Sequence, residues 1–345
     1  MSQPGDPITR RELLRRGGRL GAAALAAGPA VSFLSACDLS RTGVPRASLT
    51  ATSTPDPTAT PDTRPVTIAI TGDVMLARSV NQRILQTSDR FPFNDVADAL
   101  SSFDLTVGNL ECVVSRLGSP QPKQYTFEAD PQGFSRLASA GYSIMSVANN
   151  HSGDFGKTAF MDMLDHLPQH GITPLGGGAN LTAAHQPVIR TIRTTTLGFL
   201  AYCQIEPYSF AATDTSPGHA WLDPARMTAD IRATRPLVDF LIVFTHWGIE
   251  YHPLESSEQE AMARIAIDAG ADFVVGAHPH VIQPSSSYRG KPIVYSLGNF
   301  VFDEMWSEDV RRGNVLALTV QGAKLVNWSL RQSRIGAYGA PSWVS

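Results

Sequence analysis

Short apolar segments that alternate with longer amphipathic ones constrain the fold of this 345-residue chain more than any other feature. Each apolar segment is three to seven residues long, which suits a buried strand better than a helix. Several of the intervening segments carry apolar residues at helical spacing and stop at glycine or proline. This alternation predicts an α/β sheet protein. The predicted strands are VTIAI, LTV, SIMSV, TLGFLAY, FLIVF, DFVVGA and PIVYSL.

The last apolar stretch of the sequence has a different pattern from the others. Residues 314–335 lack helical spacing, so they are predicted to form an antiparallel hairpin that turns at Gly322. The folded domain is expected to span residues 66–337, with a C-terminal tail at 338–345. The predicted helices are DPQGFSRLASAG, GKTAFMDMLDHLPQHG and SSEQEAMARIAIDAG.

Polar motifs follow the apolar segments at six points along the chain. In α/β sheets, ligands bind outside the carboxyl ends of the strands, so residues distant in sequence can converge there. Carboxylates, amide oxygens and neutral imidazoles are donors that suit a divalent ion such as Mn, Zn or Fe. The motifs are TGDVM, GNLE, NNH, THWG, GAHPH and GNF, which contain Asp73, Asn109, Glu111, Asn149, Asn150, His151, His246, His278, His280 and Asn299.

Taken singly, four of these residues also have a simpler explanation. Asp73 could cap a turn, Glu111 could be a solvated charge, Asn150 could form an Asx turn, and His246 could be a core histidine beside a tryptophan. The simpler explanations do not account for all the motifs together. The sequence has no GxSxG elbow and no GxxxxGK[ST] loop, which argues against an α/β-hydrolase and a P-loop nucleotide site.

The N-terminal segment predicts export and membrane attachment. Residues 9–20, TRRELLRRGGRL, precede an uncharged run from Leu20 to Ala36 and resemble a twin-arginine export signal. A single transmembrane anchor is the alternative, although 17 residues interrupted by Pro29 are short for a bilayer span. The run ends in LSAC, which resembles a bacterial lipobox. Lipid on Cys37 would hold the protein to the outer face of the bacterial cell membrane.

Residues 38–65 are rich in Ser, Thr and Pro and are predicted to be a disordered linker after the signal segment 1–37. The formal net charge of -3 provides no electrostatic footprint for nucleic acid. The two remaining cysteines, Cys112 and Cys203, lie in or beside apolar runs and are expected to be small core residues.

The ordered motifs GDVM, GNLE, ANNH, THWGIEY, GAHPH and SLGNFVFD resemble those of the capsule-synthesis CapA family, also called poly-γ-glutamate biosynthesis proteins. That family is similar in fold and motif order to the calcineurin-like metallophosphoesterases. The resemblance extends from about Val66 to about Asp303. It implies a four-layer α/β/β/α sandwich with a divalent-metal site between the edges of two central sheets.

The resemblance also implies roles for individual residues. His151 is the candidate general acid or transition-state donor, and one or two ions of Mn, Zn or Fe are expected. Met75 stands where the phosphoesterases usually have a histidine ligand, and Asn109 where they have an aspartate. From the residues themselves, Pro279 is expected to hold the turn so that the histidines on either side of it, two residues apart on an extended backbone, face the same way. The implied metal ligands are Asp73, Glu111, Asn150, His246, His278 and His280, and the candidate substrate-binding residues are Asn109, Asn149, Glu250 and Asn299.

Two functions fit these features. The first is a membrane-tethered metal-dependent hydrolase that acts on an anionic cell-envelope polymer or its precursor. The second is a non-catalytic accessory subunit of a capsule synthesis or export complex, which uses the same site to hold an anionic polymer.

Overall fold

A computed structural model describes residues 61–303 and 306–344. The predicted signal segment, the lipobox cysteine Cys37 and the linker as far as residue 60 lie outside the described residues. Residues 61–65 have no regular secondary structure, and the first strand begins at Val66 as the sequence predicts.

The strands account for two large sheets and two small ones. Their bounds are β1 Val66–Val74, β2 Leu105–Leu110, β3 Val113–Val114, β4 Glu128–Ala129, β5 Tyr142–Ser146, β6 Thr173–Leu175, β7 Gly177–Gly178, β8 Val188–Ile192, β9 Thr195–Cys203, β10 Gly218–His219, β11 Phe240–His246, β12 Phe273–Ala277, β13 Ser285–Tyr288, β14 Lys291–Val294, β15 Asn299–Val301, β16 Arg312–Gln321, β17 Lys324–Ile335 and β18 Pro341–Trp343.

The helices lie between these strands and include all three that the sequence pattern predicts. Within the described ranges, no helix has the length and apolar character needed to cross a membrane. The α-helices are α1 Arg78–Gln86, α2 Ala97–Ser101, α3 Gln132–Ser139, α4 Gly156–His166, α5 Leu181–Ala184, α6 Pro224–Thr234, α7 Ser257–Ala269 and α8 Glu308–Arg311, and short 3₁₀ helices cover Leu167–His170, Tyr208–Phe210, Arg235–Leu237 and Ala337–Gly339.

Each large sheet has a parallel centre. The first sheet has the order β18-β17-β16-β1-β2-β5-β6, with β15 also paired to β1, and its strands β1, β2, β5 and β6 are parallel. The second sheet has the order β13-β14-β12-β11-β9-β8, and its strands β9, β11, β12 and β14 are parallel. The carboxyl ends of parallel strands share one edge of a sheet, which is where the polar motifs lie.

Three apolar cores separate four layers. The central core packs the two sheets face to face through residues such as Ile68 and Phe244. A second core joins the first sheet to helices α1 to α4, with Phe134 and Phe160 among its members. A third core joins the second sheet to α6 and α7 and includes Met227. The predicted four-layer α/β/β/α sandwich is therefore confirmed.

The C-terminal region agrees with the sequence analysis in one respect and differs in another. The predicted hairpin is confirmed, because β16 and β17 pair antiparallel and Gly322 has a positive φ of 53° at the turn. Residues 338–345 were expected to form a tail, but Pro341–Trp343 pairs with the end of β17. A three-residue strand that begins with proline has too little sequence pattern to be recognised. Cys112 and Cys203 are both buried and free.

Candidate metal centre

The structure brings all six predicted metal ligands to one buried site at the carboxyl ends of the strands. Asp73 is the penultimate residue of β1, and His246 is the final residue of β11. Glu111 follows β2, Asn150 follows β5, and the two histidines of GAHPH follow β12. The central sheets face each other here, so residues from both sheets meet although they are far apart in sequence.

The candidate ligands form two groups that share one carboxylate. Asp73, Glu111 and His246 each offer a ligand atom, and these atoms lie within 4.8 Å of one another. The same limit of 4.8 Å holds for Glu111, His278 and His280. In addition, Asn150 Oδ1 lies 2.8 Å from His246 Nε2. Glu111 is therefore the carboxylate that the two candidate ligand groups have in common.

Glu111 shows directly that the site is suited to a cation. Its carboxylate is fully buried, and neither oxygen makes a hydrogen bond within the described part of the chain. Burial raises the pKa of Glu111 well above its usual range, and the charge of Asp73 raises it further. Two imidazole nitrogens, Nε2 of His246 and Nε2 of His280, each lie 3.7 Å from Oε1 of Glu111. Since a buried carboxylate without a hydrogen bond is costly, a divalent ion would satisfy both oxygens and offset the repulsion. The residues present fit such an ion.

Two of the three imidazoles are held in the neutral form that can coordinate a metal. Burial lowers the pKa of His246 and His278 well below the usual range, and neighbouring imidazoles lower it further. Both rings are therefore neutral at physiological pH, and Nδ1 of His278 has no hydrogen-bond partner among the described residues. Burial also acts to lower the pKa of His280, but the hydrogen bond and charge of Asp73 outweigh it and raise the pKa.

The backbone at the GAHPH motif differs from the extended form that the sequence suggested. His278 has a φ of 95° and His280 has a φ of 60°, so both are in the left-handed region. Such a conformation costs roughly 1–3 kcal/mol at a residue with a Cβ and persists where the surroundings enforce it. The two rings still lie close together, with centroids 5.6 Å apart. Backbone strain at adjoining candidate ligands is typical of a functional site.

Three asparagines hold the ligands in place. Asn109 Nδ2 donates to Asp73 Oδ1 at 2.8 Å and lies 3.2 Å from His246 Nδ1. Asn149 Nδ2 donates to the side-chain oxygen of Asn109 at 3.0 Å. Asn109 and Asn149 were expected to contact substrate, but both are fully buried and their amides are engaged within the protein. Asn299 also lines the cleft described below, and its Oδ1 lies 2.9 Å from Nδ1 of His280.

Met75 occupies the position where the resemblance expects a histidine ligand. Its side chain belongs to the core between the first sheet and its helices, and its sulfur accepts the Ala77 N–H at 3.1 Å. A thioether is a poor ligand for Mn or Zn. This position therefore serves packing, and Met75 is not one of the candidate ligands.

His151 lies beside the metal centre and lines an open cleft. Its Nδ1 is 2.6 Å from Asp154 Oδ2, and Asp154 Oδ1 is 2.5 Å from Lys123 Nζ. The ring stacks on Phe127 with a centroid separation of 4.1 Å. Burial lowers the pKa of His151, although the hydrogen bond and charge of Asp154 oppose the effect. The Asp154 contact leaves Nε2 as the ring nitrogen available for proton transfer.

The surroundings of His151 and the cleft contain several residues that the sequence analysis did not identify. Asp154 could have been identified from the sequence, because it follows His151 by three residues in HSGD. Lys123 comes from an irregular Gly- and Pro-containing loop without any such signal. Glu250, a predicted substrate-binding residue, is exposed and lines the cleft. The cleft is lined by Arg78, Tyr125, Phe127, His151, Glu250, Tyr251, His280, Asn299, Phe302, Asp303, Trp306 and Val310.

Comparison with known proteins gives matches over most of the described domain. The sequence model of a family described as bacterial capsule synthesis protein PGA_cap matches residues 67–304. The chain is 30% identical over 239 residues to the "PGA biosynthesis protein CapA" of Bacillus subtilis, covering 68% of this chain and 63% of that protein. It is 33% identical over 249 residues to a "probable polyglutamine synthesis accessory protein" of Mycobacterium tuberculosis, with coverage of 68% and 65%. The matches thus span a little under two thirds of these relatives.

Among solved structures, a hypothetical protein from Thermus thermophilus has a similar fold. The TM-score is 0.51 at 15% sequence identity, and the superposition covers 77% of this chain and 98% of that protein. At this level of identity the likeness concerns the fold alone. The chain is therefore similar to capsule synthesis proteins in sequence and to this Thermus thermophilus protein in fold.

Proposed function

Because this chain belongs to the bacterial capsule synthesis protein PGA_cap family, we propose that it is a divalent-metal-dependent hydrolase. Its substrate is a capsule or poly-γ-glutamate polymer of the cell envelope, or a precursor of one. The observation that carries this proposal is the pair of ligand groups that share the buried, unsatisfied carboxylate of Glu111. The adjacent His151–Asp154 pair supplies a proton-transfer group.

The ligands Asp73, Glu111, Asn150, His246, His278 and His280 would hold Mn, Zn or Fe, which when bound supplies Lewis acidity and lowers the pKa of water. The protein's own residues perform the proton transfer. Asp154 accepts the Nδ1–H of His151 and so holds the ring in one tautomer, while Lys123 holds Asp154. A protonated Nε2 can then donate to the leaving group as its bond breaks. Phe127 excludes water from one face of the ring.

The full-length chain tests this proposal when it is loaded with Mn, Zn or Fe and assayed against phosphoesters and γ-glutamyl amides. We expect turnover by the native protein and a decrease in kcat of roughly 10²–10⁴-fold in His151→Asn, with metal content unchanged, because the variant loses its proton donor. His170→Asn is the matched control, since His170 lies outside the site. Full activity in His151→Asn would contradict the assigned role.

A second candidate function is a non-catalytic accessory subunit of a polymer synthesis or export complex. Two observations favour it: Met75 supplies packing where a nitrogen donor is expected, and one relative is described as an accessory protein. In this case the native protein would bind metal but would not cleave any member of the substrate panel. A strain carrying His280→Ala would nevertheless produce less polymer than its parent.

We further propose that the protein is exported and held to the outer face of the bacterial cell membrane by lipid on Cys37. The support is the twin-arginine-like sequence, the LSAC motif and the Ser/Thr/Pro-rich segment that follows. Cys37→Ser is expected to move the protein from the membrane fraction to the soluble extracytoplasmic fraction, as measured by fractionation and immunoblotting. Cys203→Ser is the control, because that thiol is buried in the folded domain. Membrane retention of Cys37→Ser would refute the lipid anchor.

A further inference from the structure

The cleft beside the metal centre has an aromatic wall. Phe127 stacks on His151, and its ring also meets Phe302 edge to face at 5.8 Å. Phe302 in turn lies 5.0 Å from the ring of His280. The wall therefore runs without interruption from the proton-transfer histidine to a candidate metal ligand. A group bound along it would be next to both.

The aromatic surface continues to the mouth of the cleft. Tyr251 lies 5.9 Å from the ring of His280, and Trp306 meets Tyr251 edge to face at 5.2 Å. Trp306 is 68% exposed, Tyr125 55% and Tyr251 46%. Large aromatic side chains with this much exposure around one concave site are typical of a binding surface.

The charges in the cleft disfavour a polycarboxylate ligand. Arg78 is the one lysine or arginine among its described lining residues, and it is paired with Asp303 at 3.0 Å, so these two charges compensate each other. Glu250 then remains as an acidic side chain that would repel a polycarboxylate. The guanidinium of Arg78 already lies over Phe127 at 5.5 Å, so this aromatic face is not open to a second cation.

We propose that this cleft binds an uncharged, hydroxyl-rich ring, specifically a pyranose unit of an envelope glycan. The apolar C–H face of a pyranose can pack on Tyr251 and Trp306, as aromatic rings offer flat apolar surface. Its hydroxyl groups can donate to the carboxylate of Glu250, which makes no ion pair among the described residues. This assignment rests on the proposed hydrolase, because the cleft opens onto that site, and of the two proposed substrates it favours a capsule glycan over poly-γ-glutamate.

Calorimetric titration of the full-length chain tests the assignment with three probes: maltotetraose, an N-acetylglucosamine tetramer and a γ-glutamyl tetrapeptide. We expect at least one neutral tetrasaccharide to bind, and its affinity to change little between low and high salt because no ion pairs form. Trp306→Ala and Tyr125→Ala are each expected to weaken that binding about tenfold, given the free energy of one lost aromatic contact. Both residues are exposed, so the variants are expected to fold.

Tyr208→Ala is the matched control, because Tyr208 is 60% exposed but lies outside the cleft. Its affinity for the tetrasaccharide should equal that of the native protein. Failure of both tetrasaccharides to bind, tighter binding of the γ-glutamyl tetrapeptide, or native affinity in both cleft variants would overturn the assignment. Manganese binding is measured on the same samples, so that the two proposals can fail separately. If the native protein binds the sugar but no metal, the sugar site is supported and the proposed hydrolase is contradicted.

Discussion

Glu111→Gln is expected to eliminate the stabilisation of this protein by divalent metal without lowering the stability of the metal-free form. In the native protein the carboxylate is buried, makes no hydrogen bond among the described residues and lies close to Asp73. A bound cation removes this repulsion. The neutral amide cannot replace the carboxylate as a shared ligand of both groups, yet in the metal-free protein it avoids the cost of burying a carboxylate beside Asp73.

Thermal and urea unfolding with and without Mn, Zn or Fe measures both effects. At a metal concentration one hundred times the Kd, the native protein should gain about 2.7 kcal/mol in unfolding free energy, and the variant should gain almost none. Glu128→Gln is the matched control, because Glu128 is a half-buried glutamate in β4 outside the metal centre. Equal stabilisation of native protein and Glu111→Gln by each metal would show that Glu111 does not bind it.

The fold was predictable because local pattern and overall architecture agree. Apolar runs such as VTIAI and FLIVF have few alternatives to buried strands, and the helical segments between them cover the outer faces of the sheets. Where a strand is as short as β18, the apolar pattern in the sequence is too weak to predict it. The positions of the polar motifs were predictable from the same logic, because strands that run parallel place their carboxyl ends together.

The rest of the site depends on contacts that no local pattern encodes. Lys123 reaches Asp154 from an irregular loop, and Arg78 has a left-handed φ of 57° that its sequence neighbours do not suggest. The same limit applies to Asn109 and Asn149, because a strand-end asparagine looks the same in sequence whether it contacts substrate or supports a ligand. Only the depth of burial and the hydrogen-bond partners distinguish the two roles.

Gly72→Ala is expected to destabilise the protein by about 3 kcal/mol, the upper end of the range for overpacking a core. A Cβ at this position would lie 1.8 Å from the carbonyl oxygen of Gly298. That oxygen accepts the N–H of Asp73 at 3.1 Å and belongs to the segment leading into β15, which pairs with β1. Because a backbone oxygen cannot rotate away as a side chain can, the two segments must separate.

Separation of β1 from the segment leading into β15 is expected to weaken metal binding as well as stability. Asp73 is the next residue after Gly72, so displacement of β1 from β15 would move its carboxylate away from His280, whose Nδ1 is 3.3 Å away. Gly72→Ala should therefore bind Mn or Zn more weakly as well as unfold at lower urea concentration. Gly336→Ala is the control, because the nearest atom to its Cβ would be the Ala340 oxygen at 3.6 Å and its φ is negative. An unchanged urea midpoint in Gly72→Ala would mean that β1 and the 297–299 segment are not in such close contact.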